Sequence, residues 1–269
     1  MPISVRTFAD AGEAARALQA SRTARYLGGG TIVMRAVNAG DQSFDTIIRV
    51  SDPRLRQITA QGDTITIGAG VTMAQVMGSR DLAFLAPVAR GVGGPAVRNM
   101  ASVGGNLFAA SPYGDFAAAL LALDSKILTT SGQPAGIEEF LAARERDGGR
   151  AIVTAIIVPR PREAGSFRFL KASRVKPKGI SLLSISALLP TQGGRVSRAR
   201  VAYAAMGERP VRALAVERAL EGAALDEGGI AAALRAATEG LQPLTDAIAS
   251  EWYRRQIAPV HLKRLLLRR

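Results

Sequence analysis

Apolar and polar positions alternate along the chain in short runs that predict strands and helices of modest length. ISVRTF, residues 3–8, has the period of a strand, and Asp10 and Glu13 stand at capping-box spacing before AARAL, which predicts a short helix. Residues 25–27 predict a second strand, running from Leu27 into Gly28, Gly29, Gly30 and Thr31. IVMRAV, 32–37, predicts a helix starting directly at Ile32, and TIIRV, 46–50, returns as a strand. LRQITA, a QGD turn and TITIGAG predict a hairpin. Thr72 and Gln75 have cap spacing for a helix over 73–78, and residues 81–90 hold another short helical candidate.

The stretch 98–124, RNMASVGGNLFAASPYGDFAAALLALD, organises the rest. It passes through Ser102, Gly104, Gly105 and Asn106, then Ser111, Pro112 and Asp115, into the apolar run 116–123. Glycine allows close backbone approach to a bound group, and a turn of exposed N–H groups holds an anion. The apolar run predicts a buried helix that Asp115 or Ser111 helps to start. KILTT (126–130), a helical segment near 137–143 and the buried strand AIVTAIIVP (151–159) follow. RPREAG, 160–165, is charged and turn-rich and predicts a domain boundary.

Beyond it, SFRFLKASR (166–174), ISLLSISALLP (180–190) and RVSRARVAYAAMG (195–207) each predict a strand, the second of them in the core. VRALAVERALEG and IAAALRAATEG carry helical spacing, so this part reads as a sheet with helices against one face. In the final stretch, 250–269, Ser250 caps a helix containing Trp252 and Tyr253, and Pro259 is expected to kink or divide it. Domain packing, partner docking and membrane contact are all open to that helix, since its arginines alternate with leucines.

Composition narrows the chemistry. The chain has 269 residues, 48% of them hydrophobic, enough for two modest domains. It has no cysteine, which excludes disulfides, thiolate nucleophiles and cysteine-held iron–sulfur clusters from this chain. The single histidine, His261, excludes a histidine-rich metal site and reads as a surface or packed residue. No apolar run is long enough for a transmembrane segment, and the first residues lack a secretory apolar region, so the expected location is cytoplasmic. The net charge is +13, but the basic residues are scattered, and no nucleic-acid role is expected. The triple glycine has no Walker loop or G-x-G-x-x-G fingerprint around it. Taken alone it fits either a tight turn or a phosphate site.

Two segments together carry a resemblance. LGGGTIVMRAVNAG (27–40) and VRNMASVGGNLFAASPYGD (97–115) closely resemble the paired flavin-binding segments of the FAD-binding medium subunits of molybdenum hydroxylases, the xanthine dehydrogenase and carbon monoxide dehydrogenase family. MGERPVRALAVERALEG (206–222) and DAIASEWYRRQIAPVHLKRLLLR (246–268) resemble that family's C-terminal domain, so the likeness spans essentially the whole chain. It implies an α+β architecture: an FAD-binding PCMH-type domain of two α/β subdomains (1–162, divided near 54) and a smaller α+β C-terminal domain with an antiparallel sheet and packed helices (163–269).

The resemblance also implies site roles. Leu27, Gly28, Gly29, Gly30, Thr31 and Ile32 would cradle the FAD pyrophosphate through backbone N–H groups, with Ile32 at the helix start. Ser102, Gly104, Gly105 and Asn106 would lie around the pyrophosphate and the flavin side, and Ser111 and Asp115 near the ribose and adenine portion. A helix cap remains the alternative for Asp115. Tyr113 departs from the family's usual small residue, and Leu182 stands where some relatives place a lysine near the flavin, which argues against their flavin electrostatics and NAD reactivity. The absence of cysteine rules out the extra [4Fe-4S] cluster of some medium subunits.

No acid, base or nucleophile stands out for substrate attack, so no catalytic residue is assigned. The implied function is electron transfer: a large subunit hydroxylates substrate at its molybdenum cofactor, and two [2Fe-2S] clusters of a small iron–sulfur subunit relay electrons to FAD here and on to an external acceptor. The assembly would be a heterotrimer or a dimer of heterotrimers. The alternatives are a scaffold that has lost FAD, which an absorption scan would reveal, and a self-contained FAD oxidoreductase, which would oxidise an organic donor alone.

Overall fold

The computed structural model describes residues 3–146, 150–175 and 179–268, so residue 269 of the predicted C-terminal stretch lies outside the described residues. β1 (Ser4–Phe8), α1 (Ala11–Ala20), β2 (Ala24–Tyr26), α2 (Val33–Asn38) and β3 (Thr46–Val50) form the first layer. Their strands are parallel in the order β1-β3-β2, and the two helices supply the crossovers that parallel neighbours require. Asp10 caps α1 by accepting from the Glu13 N–H at 3.0 Å, the first half of the expected capping box.

The next stretch of the chain runs to Pro159. It contains β4 (Ile58–Gln61), β5 (Thr64–Gly68), α3 (Met73–Gly78), α4 (Ala86–Arg90), α5 (Pro95–Met100), α6 (Val103–Asn106), α7 (Asp115–Ala122), β6 (Lys126–Thr129), β7 (Pro134–Gly136), α8 (Ile137–Arg146) and β8 (Val153–Pro159). The sheet order is β4-β5-β8-β6-β7, antiparallel throughout. The last strand in sequence is thus central, which is why its apolar run buries Ile156 and Val158 completely. Thr72 and Gln75 exchange both bonds of a capping box at α3. Ile152 joins Ala14, Leu18, Ala24 and Ile48 in one small core. The Arg150 guanidinium donates to the carbonyls of Leu18 and Ser21, which the end of α1 leaves without helical partners.

The C-terminal part has β9 (Phe167–Ser173), β10 (Ser181–Leu188), a small hairpin of β11 (Thr191–Gln192) and β12 (Arg195–Val196), β13 (Arg200–Ala204), β14 (Val211–Arg212), α9 (Leu214–Leu220), α10 (Ala231–Arg235) and α11 (Glu251–Leu267). Its main sheet runs β14-β13-β10-β9, all antiparallel. Leu183, Ile185, Val201 and Tyr203 share a core with Val216, Leu220, Ala233, Ala258 and Leu262 from α9, α10 and α11. Successive strand residues point to opposite faces, so Ser184, Ser186, Ala202 and Ala204 line the other face. They are buried too, and the alanine-rich α7 packs on β10 and β13.

By its contacts the chain forms two compact units. The first is Met1–Leu82, Gly94–Ala109 and Ser125–Pro159; the second is Ala83–Gly93, Ala110–Asp124 and Arg160–Arg269. The chain therefore leaves the first unit after Ala109 and re-enters it at Ser125, lending α7 to the C-terminal sheet.

Several expectations need correction. The helix after the SPYG turn is capped by neither Ser111 nor Asp115: Gly114 takes the N-cap at φ 118°, a region that glycine enters without steric cost, and Asp115 opens the first turn. Residues 103–106 are helical where the glycine pair predicts a turn, and residues 95–100 form a further short helix, because Pro95 and Ser102 each begin a turn of helix. Residues 195–207 hold two strands, separated at Arg198 by a left-handed backbone with φ 55°. Helices cover both faces of the C-terminal sheet. α11 is not divided at Pro259; Arg254, Ala258, Leu262, Leu265 and Leu266 bury one side of it, and that packing outweighs the ~3 kcal/mol cost of an interior proline.

Candidate cofactor site

In the first unit the two glycine segments touch. β2 continues through Leu27, whose N–H donates to the Ile48 carbonyl at 2.8 Å, and then turns away from the sheet. A Cβ on Gly29 would collide with the Met100 carbonyl oxygen and lie 2.7 Å from the Met100 carbonyl carbon and 2.8 Å from the Ser102 nitrogen. A Cβ on Gly28 would sit 3.0 Å from the Ser102 hydroxyl and 3.9 Å from the Gly105 Cα. Gly30 has φ +78°, the left-handed turn residue, and its carbonyl accepts from the Met34 N–H as α2 begins. The structure thus brings Gly28 and Gly29 against Ser102 and Gly105.

The second segment is fixed from below. Val103 and Gly104 donate to the carbonyls of Val71 and Ala69 at 2.8 and 2.9 Å, and a Cβ on Gly104 would meet Ala69 at 2.7 Å. Ser102 caps α6 by accepting from the Gly105 N–H at 3.2 Å. Both segments carry unmatched polar groups. Among the described residues, no backbone carbonyl accepts from the N–H groups of Gly28, Gly29, Gly30 or Thr31, and the Asn106 Oδ1, shielded from solvent, has no hydrogen-bond partner. Unmatched donors on one segment and an unmatched acceptor on the other suit a group carrying both negative oxygens and N–H or hydroxyl donors. Thr31 is half-buried, while Ile32 is exposed at the start of α2.

Ser111 and Asp115 belong to the second unit. Ser111 is half-buried and precedes a cis peptide bond to Pro112; Tyr113 is 38% exposed. Asp115 is buried, with Ser181 Oγ donating to its Oδ1 at 2.7 Å and Lys171 Nζ to its Oδ2 at 2.8 Å. Lys171 Nζ also donates to the Gly91 carbonyl at 2.8 Å. Sequence reasoning missed Lys171 and Ser181 as partners of Asp115, since more than fifty residues separate them and both sit in strand patterns with no motif of their own. Leu182 is buried. No cluster of metal-ligating side chains occurs among the described residues, and no described helix is long and apolar enough to cross a membrane.

Comparison with known proteins identifies the family. Residues 3–161 match the family model of the FAD binding domain in molybdopterin dehydrogenase, and residues 168–269 that of the CO dehydrogenase flavoprotein C-terminal domain. The chain is 23% identical to the glyceraldehyde dehydrogenase medium chain of Sulfolobus acidocaldarius, covering 92% of this chain and 91% of the relative. It is 26% identical to the 6-hydroxypseudooxynicotine dehydrogenase complex subunit alpha of Paenarthrobacter nicotinovorans, covering 98% and 89%. Among solved structures, a chain of carbon monoxide dehydrogenase from Hydrogenophaga pseudoflava superposes with a TM-score of 0.90 at 25% identity, covering 99% of this chain and 96% of that one. A chain of quinoline 2-oxidoreductase from Pseudomonas putida 86 shares the fold with a TM-score of 0.87 at 24% identity, over 100% and 96%. With both halves matched in order, the chain belongs to the FAD-binding family of the molybdopterin dehydrogenases, of the carbon monoxide and xanthine dehydrogenase type.

Proposed function

We propose that this chain is the FAD-carrying, electron-transferring subunit of a multisubunit molybdenum hydroxylase. The observation that carries the reading is the cradle of the first unit: the Gly29 backbone lies directly on residues 100–102, with the N–H groups of Gly28, Gly29, Gly30 and Thr31 left without backbone acceptors. Those groups would hold the pyrophosphate, with Leu27 and Ile32 flanking them. Ser102, Gly104 and Gly105 would form the opposite wall, and Asn106 Oδ1 would accept from the cofactor. The assignment of Ser111 and Asp115 to the ribose and adenine portion rests on the family motif.

When bound, FAD would supply the redox chemistry of a relay between two [2Fe-2S] clusters of a small subunit and an external acceptor. The chain's own residues bind and orient it. Substrate hydroxylation belongs to a large subunit with the molybdenum cofactor, in a heterotrimer or a dimer of heterotrimers. The relatives' names, a medium chain and a complex subunit alpha, support a heteromeric setting.

Gly105→Asp tests the cradle: among the described residues a Cβ there meets the Ser102 hydroxyl alone, a tight contact of 3.0 Å at which that side chain must give slightly. The added carboxylate would repel the pyrophosphate, so flavin retained through desalting should fall by about tenfold or more. Asp115→Ala should lose less, since the backbone contacts to pyrophosphate persist. Equal flavin content in Gly105→Asp and the unaltered chain would remove the cradle assignment.

A further inference from the structure

Asp115 and Lys171 form an ion pair of the kind that seldom repays its burial. Their side chains are 7% and 13% exposed, and they meet at 2.8 Å. Taking two charges out of water costs several kcal/mol per ion, and an apolar pair of similar volume is often as stable. A role in stability alone therefore gives weak grounds for an ion pair here. What distinguishes the pair is its place. Asp115 is the first residue of α7, directly after the Ser111, Pro112, Tyr113 and Gly114 loop. Lys171 lies in β9, opposite Ser184 of β10, and its ammonium joins three segments: the Gly91 carbonyl after α4, the Asp115 carboxylate at α7, and its own strand. Ser181, at the start of β10, holds the other carboxylate oxygen at 2.7 Å. Among the described residues each oxygen is engaged once. A carboxylate has about four acceptor positions, so capacity remains on both.

We propose that Lys171 is a positioning residue for the flavin nucleotide, acting through Asp115: with Ser181 it fixes the carboxylate and the loop before it, so that Asp115 meets a nucleotide hydroxyl without first being ordered. This rests on the assignment of Asp115 made above. An acceptor whose orientation is set in advance loses less freedom on binding, and the gain appears as affinity. Gly91 shares in the arrangement, since a Cβ there would lie 3.5 Å from Lys171 Cδ and 3.6 Å from the Phe169 ring.

The test is FAD affinity of the full chain, titrated by flavin fluorescence, with thermal unfolding followed in parallel. Lys171→Met should weaken FAD binding by about tenfold, and Lys171→Arg, which keeps the positive charge and N–H donors, should restore most of it. The double variant Lys171→Met with Asp115→Asn leaves no buried charge unpaired, so it folds even if Lys171→Met does not. It should recover unfolding temperature and yet bind FAD no better and no worse than Asp115→Asn alone. Recovery of wild-type affinity in the double variant would reduce the pair to a structural one and overturn the proposal. So would unchanged affinity in Lys171→Met, or a double variant weaker than Asp115→Asn by a further tenfold or so, which would give Lys171 a contact of its own. Failure of the unaltered chain to bind FAD would instead defeat the underlying functional reading, and this inference with it.

Discussion

Position 29 needs glycine because of its neighbours, whereas position 30 needs it because of its own backbone. A side chain at 29 would enter the Met100 carbonyl, and φ +78° at Gly30 disfavours any other residue. The triple glycine was legible in the sequence as a turn, but the separate jobs of its members were not, since one depends on a segment seventy residues away. Tyr203 shows the same gap in reverse. It reads as an ordinary strand aromatic, yet it is 0% exposed, its hydroxyl finds no hydrogen-bond partner among the described residues, and burial pushes its pKa up. An unsatisfied buried hydroxyl is costly, so Tyr203→Phe should stabilise the chain by about 1 kcal/mol, read from its urea midpoint. Destabilisation by a similar amount would mean that the hydroxyl has a partner after all.

At the scale of elements, local signals located helices and strands well and their ends less well. Thr72 with Gln75, Asp10 with Glu13, and Ser250 all act where their spacing placed them, because a cap is settled within four residues. The N-cap of α7 and the continuity of α11 through Pro259 are not legible locally, because burial decides them. α11 is tied down by Arg254, fully buried, which pairs with Asp246 at 2.8 Å and donates to the carbonyls of Leu182, Leu244 and Ala249. Burial pushes the Asp246 carboxyl upward, but hydrogen bonds from the Ala249 N–H, Arg254 and the Ile248 N–H outweigh it and hold the pKa below the usual carboxylate range. A pKa lowered by folding contributes stability above the unfolded value of about 3.9, and that contribution is lost as pH falls through the folded value. Asp246→Asn should therefore be less stable than the unaltered chain near pH 7, and the difference should close toward about pH 3. A gap of the same size at both pH values would assign the loss to shape instead of charge.

For the whole molecule, the order of elements along the chain differs from their grouping in space. α7 belongs in sequence to the glycine-bearing part and in contact to the C-terminal sheet, so changes at β9 or β10 reach the residues that follow the second glycine segment. Co-expression with neighbouring large and small subunits should yield one complex containing FAD, iron and molybdenum. A stable complex with iron and molybdenum but no flavin absorption would sink the electron-transfer role. FAD binding only the folded chain should also raise its stability, by about 2.7 kcal/mol at a hundredfold excess over Kd.

By itself the sequence determined most of the strand and helix order, the caps of α1, α3 and α11, the two glycine-rich segments and the absence of any thiol chemistry, because each depends on residues close together or on composition. Only the tertiary structure decided that Gly29 rests on Met100, that α7 covers the far face of the C-terminal sheet, and that Asp115 is held by Lys171 and Ser181. Those are contacts between segments far apart in the chain. They follow from how apolar faces bury one another, a property that no short stretch of sequence carries.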